Sequence, residues 1–162
     1  MKKLFTSLLM LGALLFSNSC VTTQQIPGTK KGDNTIVIHT TDNTADAFLK
    51  IGQILTSSGF AIAHSDATFF TISTDARNTS RLNGSEKFTV TVKGGETTTI
   101  ELNGLVSVNV AISYGYGVTV PPSWSRITNT GMSGSVIQVG WTDLYNVATQ
   151  YPNATITFEK RQ

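Results

Sequence analysis

An alternation of apolar and polar residues in the middle of the chain restricts the fold more than any other feature. Phe88, Val90 and Val92 alternate mainly with threonines, and Ile100 and Leu102 repeat the period. The same spacing continues at four further positions, which are Val106, Val108, Val110 and Ile112. A period of two places these side chains on one face of a sheet. The region therefore predicts antiparallel strands with one buried face, which the 25 threonines of the chain also favour.

Two glycine-containing pairs divide this region into strands. Gly94-Gly95 separates the first alternating stretch from the second, and Asn103-Gly104 separates the second from the third. Asn-Gly is a strong hairpin signal because a type I′ turn needs positive φ at both central positions. The sequence therefore predicts a three-stranded meander with turns at these two places.

The first half of the domain predicts the element order β-α-β-β. Thr35–Thr40 is rich in β-branched residues and predicts a strand. Asn43, with an acidic residue three positions later, predicts a helix start, and Gly59 predicts the end of that helix. Phe60–His64 and Phe69–Thr74 predict the second and third strands.

The last third of the chain predicts a second helix and a final strand. Residues 136–142 fit either a helical face or a strand, whereas Asp143–Thr149 predicts helix. Pro152 ends this helix, and Ala154–Glu159 predicts a strand. The fold class is therefore α+β: a single domain over residues 35–162, with a mainly antiparallel sheet and the late helix packed on one face.

The amino-terminal segment has the organisation of a secretory leader. Lys2 and Lys3 precede the apolar run Leu4–Phe16, and Cys20, the single cysteine, follows closely. The apolar run is too short for a membrane-spanning helix, which needs about 20 residues. An ordinary secretory signal with an incidental cysteine is the alternative.

This leader resembles the signal of bacterial lipoproteins, in which the cysteine is acylated and becomes the first residue of the mature chain. Ser17 and Asn18 stand where the strict form of that signal has leucine and a small residue. The looser form resembles that of Bacteroidetes-type lipoproteins. The resemblance implies a signal peptide over residues 1–19 and a lipid at Cys20. The following stretch, residues 20–34, is polar, contains Pro27 and two glycines and has no apolar period, so it predicts a flexible tether.

The charge and the residues after Cys20 restrict the partners and the location. Without the leader, basic and acidic residues are equal in number, so nothing predicts nucleic acid as a partner. Val21 and the residues after it lack the acidic runs that mark other destinations of lipoproteins. By that resemblance we expect a lipid-anchored protein on the periplasmic face of the outer membrane.

The order of elements over residues 35–159 resembles the helix-grip or TATA-binding-protein-like domains of small envelope lipoproteins. Accessory lipoproteins of the outer-membrane barrel-assembly machinery contain such domains. No residue motif accompanies this likeness, so it implies a fold and transfers no binding or catalytic residue. It suggests a protein-interaction or assembly role.

Residues with catalytic or metal-binding chemistry are few. His39 and His64 are the only histidines, and Asp42 and Asp66 lie near them in sequence, but no spacing typical of a metal site occurs. The stretch 131–134 contains a serine between glycines without the spacing of a nucleophile elbow. We therefore predict no enzyme, no catalytic residue, no metal and no cofactor, with a hydrolase as the weaker alternative.

A long loop, Tyr114–Gly134, carries the aromatic residues that could contact a ligand. Tyr114, Tyr116 and Trp124, together with Trp141, could form an exposed surface for a sugar ring or an apolar partner side chain. The same residues could instead fold inward and cover the sheet. The leading prediction is a non-enzymatic envelope lipoprotein that binds a protein, and the alternative is a glycan or small-ligand binding module.

Overall fold

The structure, a computed structural model, describes residues 26–108 and 123–162. Within these ranges the elements are β1 (Thr35–Thr40), α1 (Thr44–Ser57), β2 (Ile62–Asp66), β3 (Thr71–Thr74), β4 (Arg77–Asn78), β5 (Gly84–Lys93), β6 (Thr98–Val108), β7 (Trp124–Arg126), α2 (Val136–Ala148) and β8 (Thr155–Glu159). The predicted α+β class, the β-α-β-β start and the late helix are confirmed.

The described strands form one antiparallel sheet in the order β2-β3-β5-β6-β1-β8, with β4 paired to β5 and β7 paired to β6. The first strand lies between β6 and β8, and Ile38 is level with Ile100 on one side and Ile156 on the other. The two ends of the described chain therefore meet at one side of the sheet, where β8 is the outermost strand.

Both helices cover the same face of the sheet and bury their apolar stripes there. The alternating residues of β5 and β6, such as Val90 and Leu102, are fully buried under them. Phe48 and Ile51 of α1 and Leu144 of α2 pack into this core. The two-residue period of the strands and the helical period of α1 and α2 thus meet in a single hydrophobic core.

The predicted turn at Asn103-Gly104 is wrong, because β6 runs without a break through both residues. Gly104 lies directly opposite Phe88 of the neighbouring strand β5. A Cβ atom at Gly104 would lie 2.8 Å from the carbonyl oxygen of Lys87 and 2.8 Å from Cδ1 of Phe88. The glycine is therefore required by packing and not by a turn.

The meander consists instead of β2, β3, β5 and β6, and the turn at Gly94-Gly95 is confirmed.

Side-chain caps define the starts of both helices. Asn43 accepts a hydrogen bond from the Asp46 amide at 2.9 Å, as the sequence predicts. Ser135 accepts one from the Gln138 amide at 3.1 Å, so α2 begins at Val136. Residues 136–142 are therefore helical, and the alternative of a strand is excluded.

The β2–β3 connection lies two residues later in the chain than predicted, because β2 spans Ile62–Asp66 and β3 spans Thr71–Thr74. Asp66 accepts hydrogen bonds from the amides of Thr68 and Phe69, at 2.8 and 3.1 Å, which fixes a turn there. Phe70 has φ of 50°, a left-handed value. The third strand consequently begins at Thr71 and not at Phe69.

Residues 26–34, predicted as part of a flexible tether, belong to the folded domain. Ile26 and Asn34 are buried. The Asn34 side chain donates to the carbonyl of Arg161 at 2.7 Å and accepts from the Arg161 amide at 3.0 Å. Gly32 donates to the carbonyl of Asn129 at 2.8 Å. The tether prediction is wrong for this stretch because the segment bonds to residues far away in sequence. Residues 20–25 lie outside the described residues.

Candidate functional site: a groove beside the edge strand

The structure separates the residues predicted to form an aromatic surface. Tyr114 and Tyr116 lie outside the described residues. Trp124, on β7, is half-buried, and the Lys87 ammonium lies 4.6 Å from the centre of its ring. Trp141 has no exposed surface and packs against Phe158, with ring centres 6.0 Å apart. The inclusion of Trp141 in an exposed binding surface is therefore wrong, because α2 turns its ring into the core.

Cys20 also lies outside the described residues, so its acylation stays a prediction. Neither helix in the part of the chain that the structure describes is long and apolar enough to cross a bilayer.

The two histidines are well separated in the sheet. His39 lies on β1, and its Nε2 is 3.0 Å from the hydroxyl of Thr157 on β8. His64 is exposed on β2, at the opposite edge. Across residues 26–108 and 123–162, no group of three His, Cys, Asp or Glu residues is arranged to hold a metal ion.

An ion pair that was not predicted from the sequence joins a partly exposed arginine to a fully buried carboxylate. Nε and Nη2 of Arg77 each lie 3.0 Å from Oε1 of Glu86, which has no exposed surface. Arg77 also donates to the carbonyl of Ser58 at 2.6 Å and stacks 3.5 Å from the Phe60 ring centre. The arginine therefore joins β4 and β5 to the end of α1.

Asp143 of α2 brings a second carboxyl group to this ion pair. It is 6 % exposed and accepts a hydrogen bond from the Ser80 amide at 3.2 Å. Burial, and next the charge of Asp143, raise the pKa of Glu86 to about 7. Oε2 of Glu86 has no hydrogen-bond partner among the described residues. The cluster can hold a proton near neutral pH, but its burial suits a structural role better than contact with a substrate.

The sequence did contain a signal for this cluster. Glu86 is in phase with Phe88, Val90 and Val92, so the alternation places a carboxylate on the buried face. A buried carboxylate requires a cationic or hydrogen-bonding partner. The partner, Arg77, could not be identified without the register of β4 on β5.

A solvent-open groove of about 570 Å³ runs beside the outermost strand β8. The residues that line it come from the amino-terminal segment of the domain and from β8: Pro27, Gly28, Lys30, Asp33, Ile156, Thr157, Phe158 and Lys160. Within the described residues, β8 pairs with β1 alone, so its other side faces this groove.

Local hydrogen bonds hold the wall of the groove opposite β8. Thr29 donates its hydroxyl to the carbonyl of Ile26 at 2.8 Å, and the Lys30 amide donates to Oδ2 of Asp33 at 2.6 Å. Gly28 has φ of +81° and lies against Phe158. A Cβ atom added at Gly28 would be 3.7 Å from Cε2 of the Phe158 ring. The Phe158 ring is therefore packed between this wall and α2 and remains half-buried.

The rim of the groove is positively charged. Lys30 and Lys160 are exposed, and neither forms an ion pair with any described residue. Asp33 also lines the groove; it is 6 % exposed and its Oδ2 accepts a hydrogen bond from the Lys30 amide, so its negative charge offsets one of the two lysine charges and leaves the groove with a net positive charge. By contrast, Arg161 is paired with Glu101 and Glu159, which raise its pKa. Two free ammonium groups thus face solvent at this site.

Comparison with known proteins gives no family assignment. No protein-family model matches the chain, and the search of curated proteins gave no match.

Proposed function

We propose that this chain is a non-enzymatic lipoprotein of the cell envelope, anchored through Cys20, whose folded domain binds another protein. The leader and its cysteine support the anchor. The observation that carries the binding role is that, among the described residues, one side of β8 pairs with no strand and lies next to an open groove. An exposed strand edge offers a row of backbone donors and acceptors to a partner chain.

The rival functions have less support. A glycan site needs several exposed aromatic faces, and burial of Trp141 leaves Trp124 as the one described member of the set at the surface. A hydrolase needs a nucleophile, a base and a group that orients the base; His39 lies 3.0 Å from the Thr157 hydroxyl, but no carboxylate of the described residues is hydrogen-bonded to its ring. We place the protein on the periplasmic face of the outer membrane, as an accessory in assembly or interaction.

Replacing Cys20 by alanine is expected to release the protein from membranes. Two or more acyl chains give stable anchoring, and nothing described in the fold replaces them. The wild-type protein should sediment with membranes and dissolve in detergent, whereas most of the C20A variant should stay in the soluble fraction. The matched control is Thr22→Ala, which leaves the cysteine in place. Membrane association of C20A equal to that of wild type would exclude the anchor.

Mild cross-linking of the anchored protein in native cells tests the binding role. We expect one or a few envelope proteins to be captured by the wild-type chain, in amounts unaffected by Thr22→Ala. Absence of any specific protein, together with retention of the chain on a glycan matrix, would replace this proposal by the glycan-binding alternative.

A further inference from the structure

We propose that the groove beside β8 binds an extended acidic peptide segment, which pairs with β8 as an added strand. This inference rests on the proposed role in protein binding and names the site and the chemistry of the partner.

The two outer strands of the sheet differ in how well they can accept a new strand. The register of β2 shifts between Ile62 and His64, which is an irregularity of the kind that blunts strand edges. The five residues of β8, Thr155–Glu159, pair with β1 in continuous register and contain neither proline nor lysine. They are mostly β-branched or aromatic, which favours strand pairing. Of the two edges, β8 is therefore the better template.

The groove lies where an added strand would be placed. Neighbouring strands are about 4.8 Å apart, so a new strand would lie directly beside β8, on the side where the groove opens. Ile156 and Phe158, both half-buried, offer apolar surface to alternate side chains of that strand. Backbone pairing and side-chain contact are thus available at the same place.

The charges at the rim select the partner. Lys30 and Lys160 present two ammonium groups with no ion-pair partner among the described residues. A segment with carboxylates would be attracted and correctly oriented by them. A second copy of this chain would bring the same two lysines to the contact, and like charges would oppose it. An acidic partner segment therefore fits better than self-association.

Binding of short peptides to the full lipidated chain in detergent micelles tests the charge requirement. The probes are a fluorescent Thr-Glu-Val-Glu-Val-Glu-Thr peptide and its counterpart with lysine at each glutamate, followed by fluorescence anisotropy. We expect the acidic peptide to bind at least about tenfold more tightly than its lysine counterpart, because only the acidic peptide complements the charges of Lys30 and Lys160. The double variant K30E/K160E should reverse the preference. The control Lys87→Glu, which changes a lysine outside the groove, should leave it unchanged.

An acidic peptide with alternate N-methylated residues tests the backbone pairing. It keeps its side chains but loses donors on one edge, so its affinity should fall about tenfold or more. Hydrogen exchange of the β8 amides should slow in the presence of the unmodified acidic peptide. The amides of β2 should exchange at the same rate with and without it.

The outcomes distinguish this inference from the proposed function. Equal binding of acidic and basic peptides, or binding unaffected by N-methylation, would overturn the inference. Concentration-dependent dimerisation that protects β8 without peptide would assign the edge to a second copy and would also overturn it. If K30E/K160E still captures the cross-linked cellular partner, the inference fails while the protein-binding role stands.

Discussion

Replacing Gly104 by alanine is expected to lower the free energy of unfolding by roughly 3 kcal/mol, which is the cost of overpacking a rigid interior. The new methyl group would lie 2.8 Å from the Lys87 carbonyl oxygen, 2.8 Å from Phe88 Cδ1 and 2.9 Å from Ile127 Cδ1. The first contact is with the backbone of the neighbouring strand β5, so it cannot be relieved by turning a side chain. Urea unfolding followed by tryptophan fluorescence would measure the loss.

Gly95→Ala is the matched control for this prediction. Gly95 lies in the β5–β6 turn, and a Cβ there would be 3.5 Å from the Thr97 carbonyl oxygen, an ordinary contact. We expect a change within about 0.5 kcal/mol, as for most surface substitutions. Equal destabilisation by the two variants would contradict the packing role of Gly104.

The protein is expected to lose stability as the pH rises from 5 to 8, by roughly 3 kcal/mol from Glu86 alone. The pKa of Glu86 is raised from 4.5 to about 7 in the folded state, chiefly by burial. The folded chain therefore holds this proton more tightly than the unfolded chain. The stabilisation is complete below about pH 4.5 and is lost as the pH rises through 7.

Glu86→Gln separates this effect from other titrations. Glutamine has no charge to desolvate, so the variant should show a flatter pH profile in urea unfolding between pH 5 and 8. Glu96→Gln, at an exposed turn position, is the control and should keep the wild-type slope. The lowered pKa values of Asp42 and Glu101 act in the opposite sense and only at acid pH. An unchanged slope in E86Q would contradict the assignment.

Local patterns in the sequence predicted those helices and strands whose formation depends on residues that are close in sequence. The alternation through Val90 and Leu102 predicted the buried face of the sheet, and Asn43 predicted the start of α1, whereas the start of α2 was left open between Val136 and Asp143. The periods of strand and helix are properties of short segments, so they are readable without the fold.

The errors have a common physical cause, which is contact between distant parts of the chain. Asn103-Gly104 has the composition of a turn, but the approach of Phe88 and Ile127 decides the role of the glycine. Residues 26–34 have no apolar period, yet Asn34 is fixed by Arg161 at the other end of the chain. Neither contact can be inferred from spacing.

The candidate site was unpredictable for the same reason. Its two walls, around Gly28 and Phe158, lie far apart in sequence and meet because β1 pairs with β8. No sequence motif marks the two lysines of the rim, Lys30 and Lys160. Lys30 lies in the stretch that was predicted as a flexible tether. The aromatic residues, by contrast, were conspicuous in sequence, and Trp141 is part of the core.

Site-specific photo-cross-linking in native cells tests most directly whether this anchored domain binds a protein at the β8 groove. A photoreactive residue at Pro27, an exposed position in the groove wall, should cross-link to an envelope protein. The same residue at Thr89, exposed on the helix-free face of β5, should not. Cross-linking from Thr89 and none from Pro27 would contradict the account.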